Sequence, residues 1–348
     1  MKRIVLGYSG GFASSAAIPW LLERYPGAQI VAVMVDLGAR TELVEARERA
    51  LALGVVRCHV VDAREEFVRR SVLPALQAGA LPSHRPPLLT ALGRPIVAKT
   101  LVELGRMESA DAIAYGCRRP SDAAPIGVLA RALDPSIELI PCAASGDTRT
   151  QVIEAHIWGR SVALDASVDA GLEVPEDVYT LTRAPKDAPN QPAYLDVEFE
   201  KGLPVRVNGI EMLLLEMLDS LETIAGAHGV GRSDSMLTRA DGTKYREVAE
   251  VPAGFILQTA HSELQELVVS DELGHLARRV GASYRDLIES GKWFSDARDA
   301  LDTFAASIQP KVTGTIRLRL LKGDCRVVGR SLPQVGQSIS GTSLVRAV

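Results

Sequence analysis

The chain opens with a short apolar run, Ile4 to Leu6, then Tyr8-Ser9-Gly10-Gly11-Phe12-Ala13-Ser14-Ser15, then a helical pattern. A strand that turns through two adjacent glycines into a helix is built to hold phosphate. Glycine lets the backbone approach a ligand, and the N–H groups of the first helical turn point at negative oxygens. Gly7-Tyr8-Ser9-Gly10-Gly11 does not fit GxGxxG, although Asp36 at the end of the second strand offers a ribose contact or a cap for the next turn. No Gly-Lys-Ser/Thr follows, so the Walker pattern fails as well. A tight strand-to-helix turn without ligand is one reading. The pyrophosphate loop of enzymes that split ATP into AMP and pyrophosphate is the other, with Ser9, Ser14 and Ser15 adding hydroxyl donors. Ala13 stands where magnesium–ATP chemistry favours a carboxylate.

The pattern beyond the loop alternates strand and helix. Ile4–Gly7, Ile30–Val35, Val55–Val61, Ile113–Tyr115 and Ile137–Ile140 read as strands. Between them, helical spacing runs through Ala16 to Leu21, Leu43 to Leu53, about Ile96 to Met107, and Val128–Leu133. This order predicts an α/β fold with a parallel sheet covered by helices on both faces, with ligand at the carboxyl ends of its strands. After a proline-rich stretch from Arg183 to Pro192, the pattern changes. Hairpins are expected at Leu195–Phe199 with Val205–Val207, and at Ile316–Leu320 with Val327–Val328, and helices over Met212–Ala225 and Glu263–Arg279. The chain of 348 residues is therefore divided into an ATP-binding domain at 1–150 and an α+β domain at 151–348.

A net charge of −4 gives no basic footprint, which argues against nucleic acid as a partner. No apolar run is long enough to span a bilayer, and Lys2-Arg3 leads straight into a strand, so no membrane partner and a cytoplasmic location are expected. Cys58, Cys117, Cys142 and Cys325 lack metal-ligand spacing and read as reduced core thiols. No metal site is expected from these or from His156 and His261, which read as ordinary helix-face histidines.

In order along the chain, Tyr8-Ser9-Gly10-Gly11, Val61-Asp62-Ala63-Arg64-Glu65-Glu66-Phe67-Val68, Thr90-Ala91-Leu92-Gly93-Arg94-Pro95, Trp158-Gly159-Arg160-Ser161, Phe199-Glu200-Lys201-Gly202, His228-Gly229-Val230-Gly231-Arg232 and Val328-Gly329-Arg330 resemble blocks of the argininosuccinate synthase family. The resemblance implies a nucleotide-binding α/β domain of the PP-loop type, followed by an α+β synthetase domain. It also implies a cytoplasmic homo-oligomer, dimer or tetramer, using ATP and magnesium. Family members adenylate the ureido oxygen of citrulline, and the aspartate amine then displaces AMP. Carried over by resemblance, ATP contacts fall on Tyr8, Ser9, Gly10, Gly11, Ser14, Ser15, Val35, Arg94 and Gly116.

Acceptor contacts depart from the family. Where it has an aspartate in the loop, this chain has Ala13. The segment after Gly116-Cys117 carries Arg118, Asp122, Ala123 and Ile126 where the family has threonine, asparagine, aspartate and arginine. A tyrosine is replaced by Pro86, a serine by Val152, a glutamate by Leu237 and another tyrosine by Ala249. Thr90 and Ser161 are retained. The segment before Trp158 and the C-terminal tail are much shorter. The substrate-side set expected here is Thr90, Arg118, Arg119, Asp122 and Ser161, with the arginine pair holding an anionic acceptor or the leaving pyrophosphate. Two readings of function follow: a ligase for other small-molecule substrates, or a nucleotide-binding pseudoenzyme that serves as a scaffold or regulator. A sulfur-transfer role, as in tRNA-thiolating relatives of the fold, would rest on Cys117 and Cys142 without the basic surface it requires. Lys244, Arg246 and Glu250 sit in a family-like block and serve either the site or a subunit interface.

Overall fold

A computed structural model describes residues 2–39, 42–81, 87–117, 120–143, 152–165, 171–238 and 242–333. Its first layer is a five-stranded parallel sheet. The strands are β1 (Arg3–Gly7), β2 (Gln29–Asp36), β3 (Arg57–Asp62), β4 (Ala112–Cys117) and β5 (Glu138–Ala143), ordered β3-β2-β1-β4-β5. The crossovers are α1 (Phe12–Arg24), α2 (Leu43–Ala52), short α3 (Arg64–Phe67) and α4 (Leu73–Gln77), then α5 (Leu89–Met107) and α6 (Pro120–Leu133). Both faces are buried, which is why the strands read as continuous β-branched runs. The strand order reverses at β1, whose neighbours are β2 and β4. Loops leaving β1 and β4 therefore diverge and open a crevice at their carboxyl ends.

Two helices begin earlier than their sequence pattern suggests. Pro95 lies inside α5, and Pro125 inside α6, rather than ahead of them. α5 is buried along most of its length, so packing holds it helical through a proline that propensity alone would place at its start. The segment after Cys117, read as a loop, becomes helical at Pro120.

Two antiparallel sheets follow. One has four strands, β6 (Val152–His156), β7 (Gly159–Asp165), β11 (Arg232–Thr238) and β12 (Lys244–Glu250), in the order β11-β12-β7-β6. The other contains β8 (Ala193–Glu200), β9 (Leu203–Val207), β10 (Ile210–Glu211), β13 (Gly314–Leu321) and β14 (Asp324–Ser331), ordered β10-β9-β8-β13-β14. It contains both expected hairpins. Helices α7 (Leu214–Ala227), α8 (Pro252–Val268), α9 (Asp271–Glu289) and α10 (Asp296–Ile308) cover them. The single helix expected over Glu263–Arg279 is two, because the chain extends at Val269-Ser270 and restarts with Asp271 and Glu272 in the new first turn.

One apolar cluster joins the halves. It runs from Phe67, Leu76, Leu92 and Ile96 to Trp158, Phe199, Leu257, Tyr284 and Leu320 without interruption.

Candidate functional site

The glycine loop follows from β1. Gly10 adopts φ +77°, and a Cβ there would sit 2.8 Å from the Ala46 Cβ of α2. Only glycine meets both demands. Gly11 caps α1 with extended backbone, leaving the helix start open. The hydroxyl of buried Ser14 donates to the Gly11 carbonyl at 3.0 Å and lies 3.2 Å from Ser9 Oγ. Tyr8 is buried, with its hydroxyl 3.1 Å from Ser15 Oγ. Ser14 and Ser15 thus brace the loop from inside. Gly116 at the end of β4 braces it from behind, since a side chain there would press on Ser14 Cα at 3.2 Å. Arg49 of α2 donates to the Gly10 carbonyl at 2.9 Å.

Ser9, Gly10 and Gly11 open onto a cavity of about 880 Å³. Its opposite wall is the edge of the four-stranded sheet, with Glu154, His156 and Arg160, and α7, with Asp219 and Glu222. A smaller cavity of about 220 Å³ adjoins it, lined by Tyr8, Ser9, Val35, Thr90 and Arg94 among others. Thr90, Gly93, Arg94 and Val97 reach it at helical spacing on one face of α5. Tyr8, Ser9, Gly10, Gly11, Val35, Thr90 and Arg94, all singled out in the sequence, therefore converge on two contiguous spaces. Asp36 borders both and accepts the Gly38 N–H at 2.8 Å, so it caps its own turn. Arg64 stands beside it, 2.7 Å from Asp62 and 3.9 Å from Asp36.

Ser161 lies elsewhere, buried on β7. Arg118, Arg119 and Pro86 fall outside the described residues, and Asp122 is described only as backbone within α6. Ile126 packs against the parallel-sheet core cluster that contains Val5 and Ile113. Glu250, almost fully buried, accepts the N–H groups of Thr180, Leu181 and Thr182 at 2.8, 2.9 and 2.8 Å, and the Thr182 hydroxyl at 2.7 Å. Arg160 is 3.4 Å away. Glu250 thereby shapes the Thr180–Leu181 rim of the large cavity. Arg246 is paired with Asp234 at 2.5 Å.

His156 is on β6, not on a helix. Its ring reaches the Leu89 carbonyl at 2.9 Å and lies edge-on to Phe67. Burial lowers its pKa to about 4, so it is neutral near pH 7. Burial does the same to His261, also to about 4, against Gln309. Both serve packing. Cys58 and Cys142 are buried and in no disulfide.

Sequence reasoning missed the second wall: Glu154 of β6 and Asp219 and Glu222 of α7. Their spacing carries no motif, and only the packing of the edge strand and of α7 brings them to the loop. Among the described residues no group of three or more His, Cys, Asp or Glu side chains is placed to hold a metal ion.

The profile of the arginosuccinate synthase N-terminal HUP domain matches residues 3–157, and that of the C-terminal domain matches residues 152–339. The argininosuccinate synthase of Symbiobacterium thermophilum is 38% identical over 355 residues, covering 95% of this chain and 88% of that one. That of Acaryochloris marina is 37% identical over 354 residues, covering 95% and 89%. That of Streptococcus suis is 36% identical over 355 residues, covering 95% and 88%. With two domain profiles meeting near β6 and relatives matching along almost its whole length, this chain belongs to the argininosuccinate synthase family.

Proposed function

We propose that the chain is an ATP-dependent ligase, forming AMP and pyrophosphate, whose acceptor side has been rebuilt so that citrulline and aspartate are not its substrates. One observation carries this reading. The backbone cradle at Ser9–Gly11 keeps its glycine geometry and opens onto a large cavity, while Val152, Leu237 and Ala249 replace polar acceptor contacts around the retained Ser161. Each hydrogen bond lost to a buried polar ligand costs about 1–3 kcal/mol. Loss of the arginine at the position of Ile126 also removes a bidentate partner for a carboxylate.

In this reading ATP is a substrate. Its phosphates lie along Ser9, Gly10, Gly11 and the start of α1, and its nucleoside lies in the smaller cavity beside Val35, Thr90 and Arg94. Tyr8, Ser14, Ser15 and Gly116 hold the loop in shape. Ser161, with Arg118, Arg119 and Asp122 after β4, belongs to the acceptor side. Magnesium keeps several waters and takes one or two carboxylates besides phosphate oxygens. The scattered carboxylates of the large cavity suit a metal carried in on the nucleotide, where it would neutralise phosphate charge. By the family resemblance the protein is then a homo-oligomer of the cytoplasm acting on small molecules. No helix among the described residues is long and apolar enough to cross a membrane.

The test is ATP turnover by the purified chain. AMP release is measured across amino, ureido and carboxylate metabolites, with citrulline plus aspartate as one arm. Family-like argininosuccinate formation would sink the reading. A second reading rests on Ala13: the first turn of α1 contains no acidic residue, as a nucleotide-binding pseudoenzyme would tolerate. Stabilisation by ATP without AMP from any acceptor favours it.

A further inference from the structure

Helix α5 stands between two cavities. Thr90, Gly93, Arg94 and Val97 reach the smaller cavity beside the glycine loop. Pro95, Ile96, Lys99, Val102, Glu103 and Arg106 line a different one, of about 360 Å³. At about 100° per residue the two sets fall on opposite sides of the helix. Arg69, Arg70 and Pro74, at the junction of α3 and α4, form a second wall of that cavity. Trp293, Phe294 and Arg298, around the start of α10, form a third. None of its described lining residues lines either cavity at the loop.

The lining is part apolar and part cationic. Pro95, Ile96, Val102 and Trp293 are buried, and Pro74, Leu133 and Phe294 are half-buried. Trp293 is fixed on two sides. Tyr284 meets its ring edge-on with centroids 5.8 Å apart, and the Arg298 guanidinium lies 4.1 Å from its centre. Five cations, Arg69, Arg70, Lys99, Arg106 and Arg298, line the space against one carboxylate, Glu103. Glu103 itself pairs with Lys99 at 3.4 Å. The other partners are Glu65 for Arg69 at 2.8 Å, Glu66 for Arg70 at 3.6 Å and for Lys99 at 2.6 Å, Asp134 for Arg106 at 3.2 Å, and Asp302 for Arg298 at 3.1 Å. None of these four carboxylates lines the cavity. They hold the cations in place from outside it, so the wall that a ligand meets is positive.

The donors of that wall are not used up. In Arg69, Arg70 and Arg298 the carboxylate sits against Nε. Among the described residues the Nη groups of these three donate no hydrogen bond. A guanidinium pinned in this way keeps its outer fork for a phosphate and has little more side-chain freedom to lose. Arg69 and Arg70 also lie on a π-helical turn, Val68–Val72. Pro74 has no N–H to give the Arg70 carbonyl, where an α-helix would require one. Such wide turns are rare and occur frequently at functional sites.

We propose that this cavity is a binding site for a small organic phosphate. Lys99 and the arginines hold its dianionic group, and an apolar or planar body rests against Ile96 and Trp293. Apolar walls with a few converging charged groups are the usual make-up of small-molecule sites, and the volume lies in their range. A bare inorganic anion would leave the apolar lining wet, and an uncharged ring would leave the cations without a ligand charge. The site is independent of the ligase reading, since it shares no residue with the cradle.

Three probes separate charge from body: phenyl phosphate has both, inorganic phosphate only the charge, and phenol only the ring. Each is titrated calorimetrically into the full chain. Phenyl phosphate is expected to bind about tenfold tighter than inorganic phosphate or better, and phenol not measurably. Lys99→Gln should weaken phenyl phosphate by about tenfold, and Lys99→Arg should retain it. If Lys99→Gln fails to fold, Arg69→Gln combined with Arg70→Gln, at two exposed positions, should weaken it by a similar factor. Gly10→Val, which disables the glycine loop, should leave phenyl phosphate binding unchanged. No measurable binding of phenyl phosphate, equal affinity for the two phosphates, full binding after loss of these cations, or loss of binding in Gly10→Val overturns the proposal. In each of those cases the ligase reading, tested by ATP turnover, still stands.

Discussion

The loop after β1 and the edge of the four-stranded sheet stand on opposite sides of one cavity system, and they present different chemistry to it. The loop offers backbone: a glycine in the left-handed region, a helix start, and serines whose hydroxyls are turned inward to brace it. The edge offers side chains, Glu154, His156 and Arg160 among them, and the sheet behind it carries the replacements Val152, Leu237 and Ala249. A backbone cradle survives sequence drift because its chemistry belongs to every residue. A side-chain wall does not, so nucleotide use and acceptor choice can part company within one family.

Changes at the two walls should break or sharpen that contrast. Glu250→Ala, beside the sheet face, should have the largest effect. Removing it strands four donors and Arg160, for about 3–5 kcal/mol of stability; a urea-unfolding midpoint close to that of the parent would show that the rim holds itself. Acid should come next. Burial keeps His156 and His261 neutral down to about pH 4, whereas unfolded imidazoles protonate near 6.5. The unfolded chain therefore binds protons first, and stability falls as pH drops from 6.5 to 4, by up to roughly 3 kcal/mol per histidine. Glu247 acts in the opposite sense. Its raised pKa favours the folded state at low pH, and that contribution is lost as pH rises toward 7. His261→Gln should flatten the acid limb between pH 6.5 and 4.5, and an unchanged slope would remove His261 from the account.

On the loop, Gly10→Val should cost about 1–3 kcal/mol through strain at positive φ, and should abolish the rise in melting temperature caused by ATP. Ser14→Ala should be the mildest, near 1 kcal/mol, with nucleotide affinity reduced less than about tenfold. If Ser14→Ala abolished ATP binding as fully as Gly10→Val, the loop would depend on side chains after all, and the contrast would fail.

The parallel sheet was legible because its strands are buried on both faces and consist of unbroken β-branched runs. The loop was legible because two adjacent glycines between strand and helix have few other uses. The four-stranded sheet was not. β12 carries Lys244, Arg246 and Glu250, which the sequence assigns either to the site or to a subunit interface, and its last five residues are all buried. Pairing in register with β7 and β11 places Arg246, Glu247 and Glu250 inside, while Lys244 stays exposed. Glu247 was hidden for the same reason: a period of two linking Tyr245, Glu247 and Ala249 was the available signal, and it gains meaning only once Asp165, Ala163 and Ser161 of β7 are known to lie opposite them. The acceptor substitutions were visible one at a time, but their gathering on one face required the strand order.

The unbroken apolar cluster from Phe67 to Leu320 has a consequence for traffic through the site. Prising the two halves apart like a clamshell would wet that whole seam, at about 25 cal/mol for each Å² of apolar surface uncovered. The enzyme is better described as a fixed vice than as a hinge. Substrates enter and products leave through the mouth of a standing cleft, so the shape of that mouth sets the largest acceptor the chain can admit.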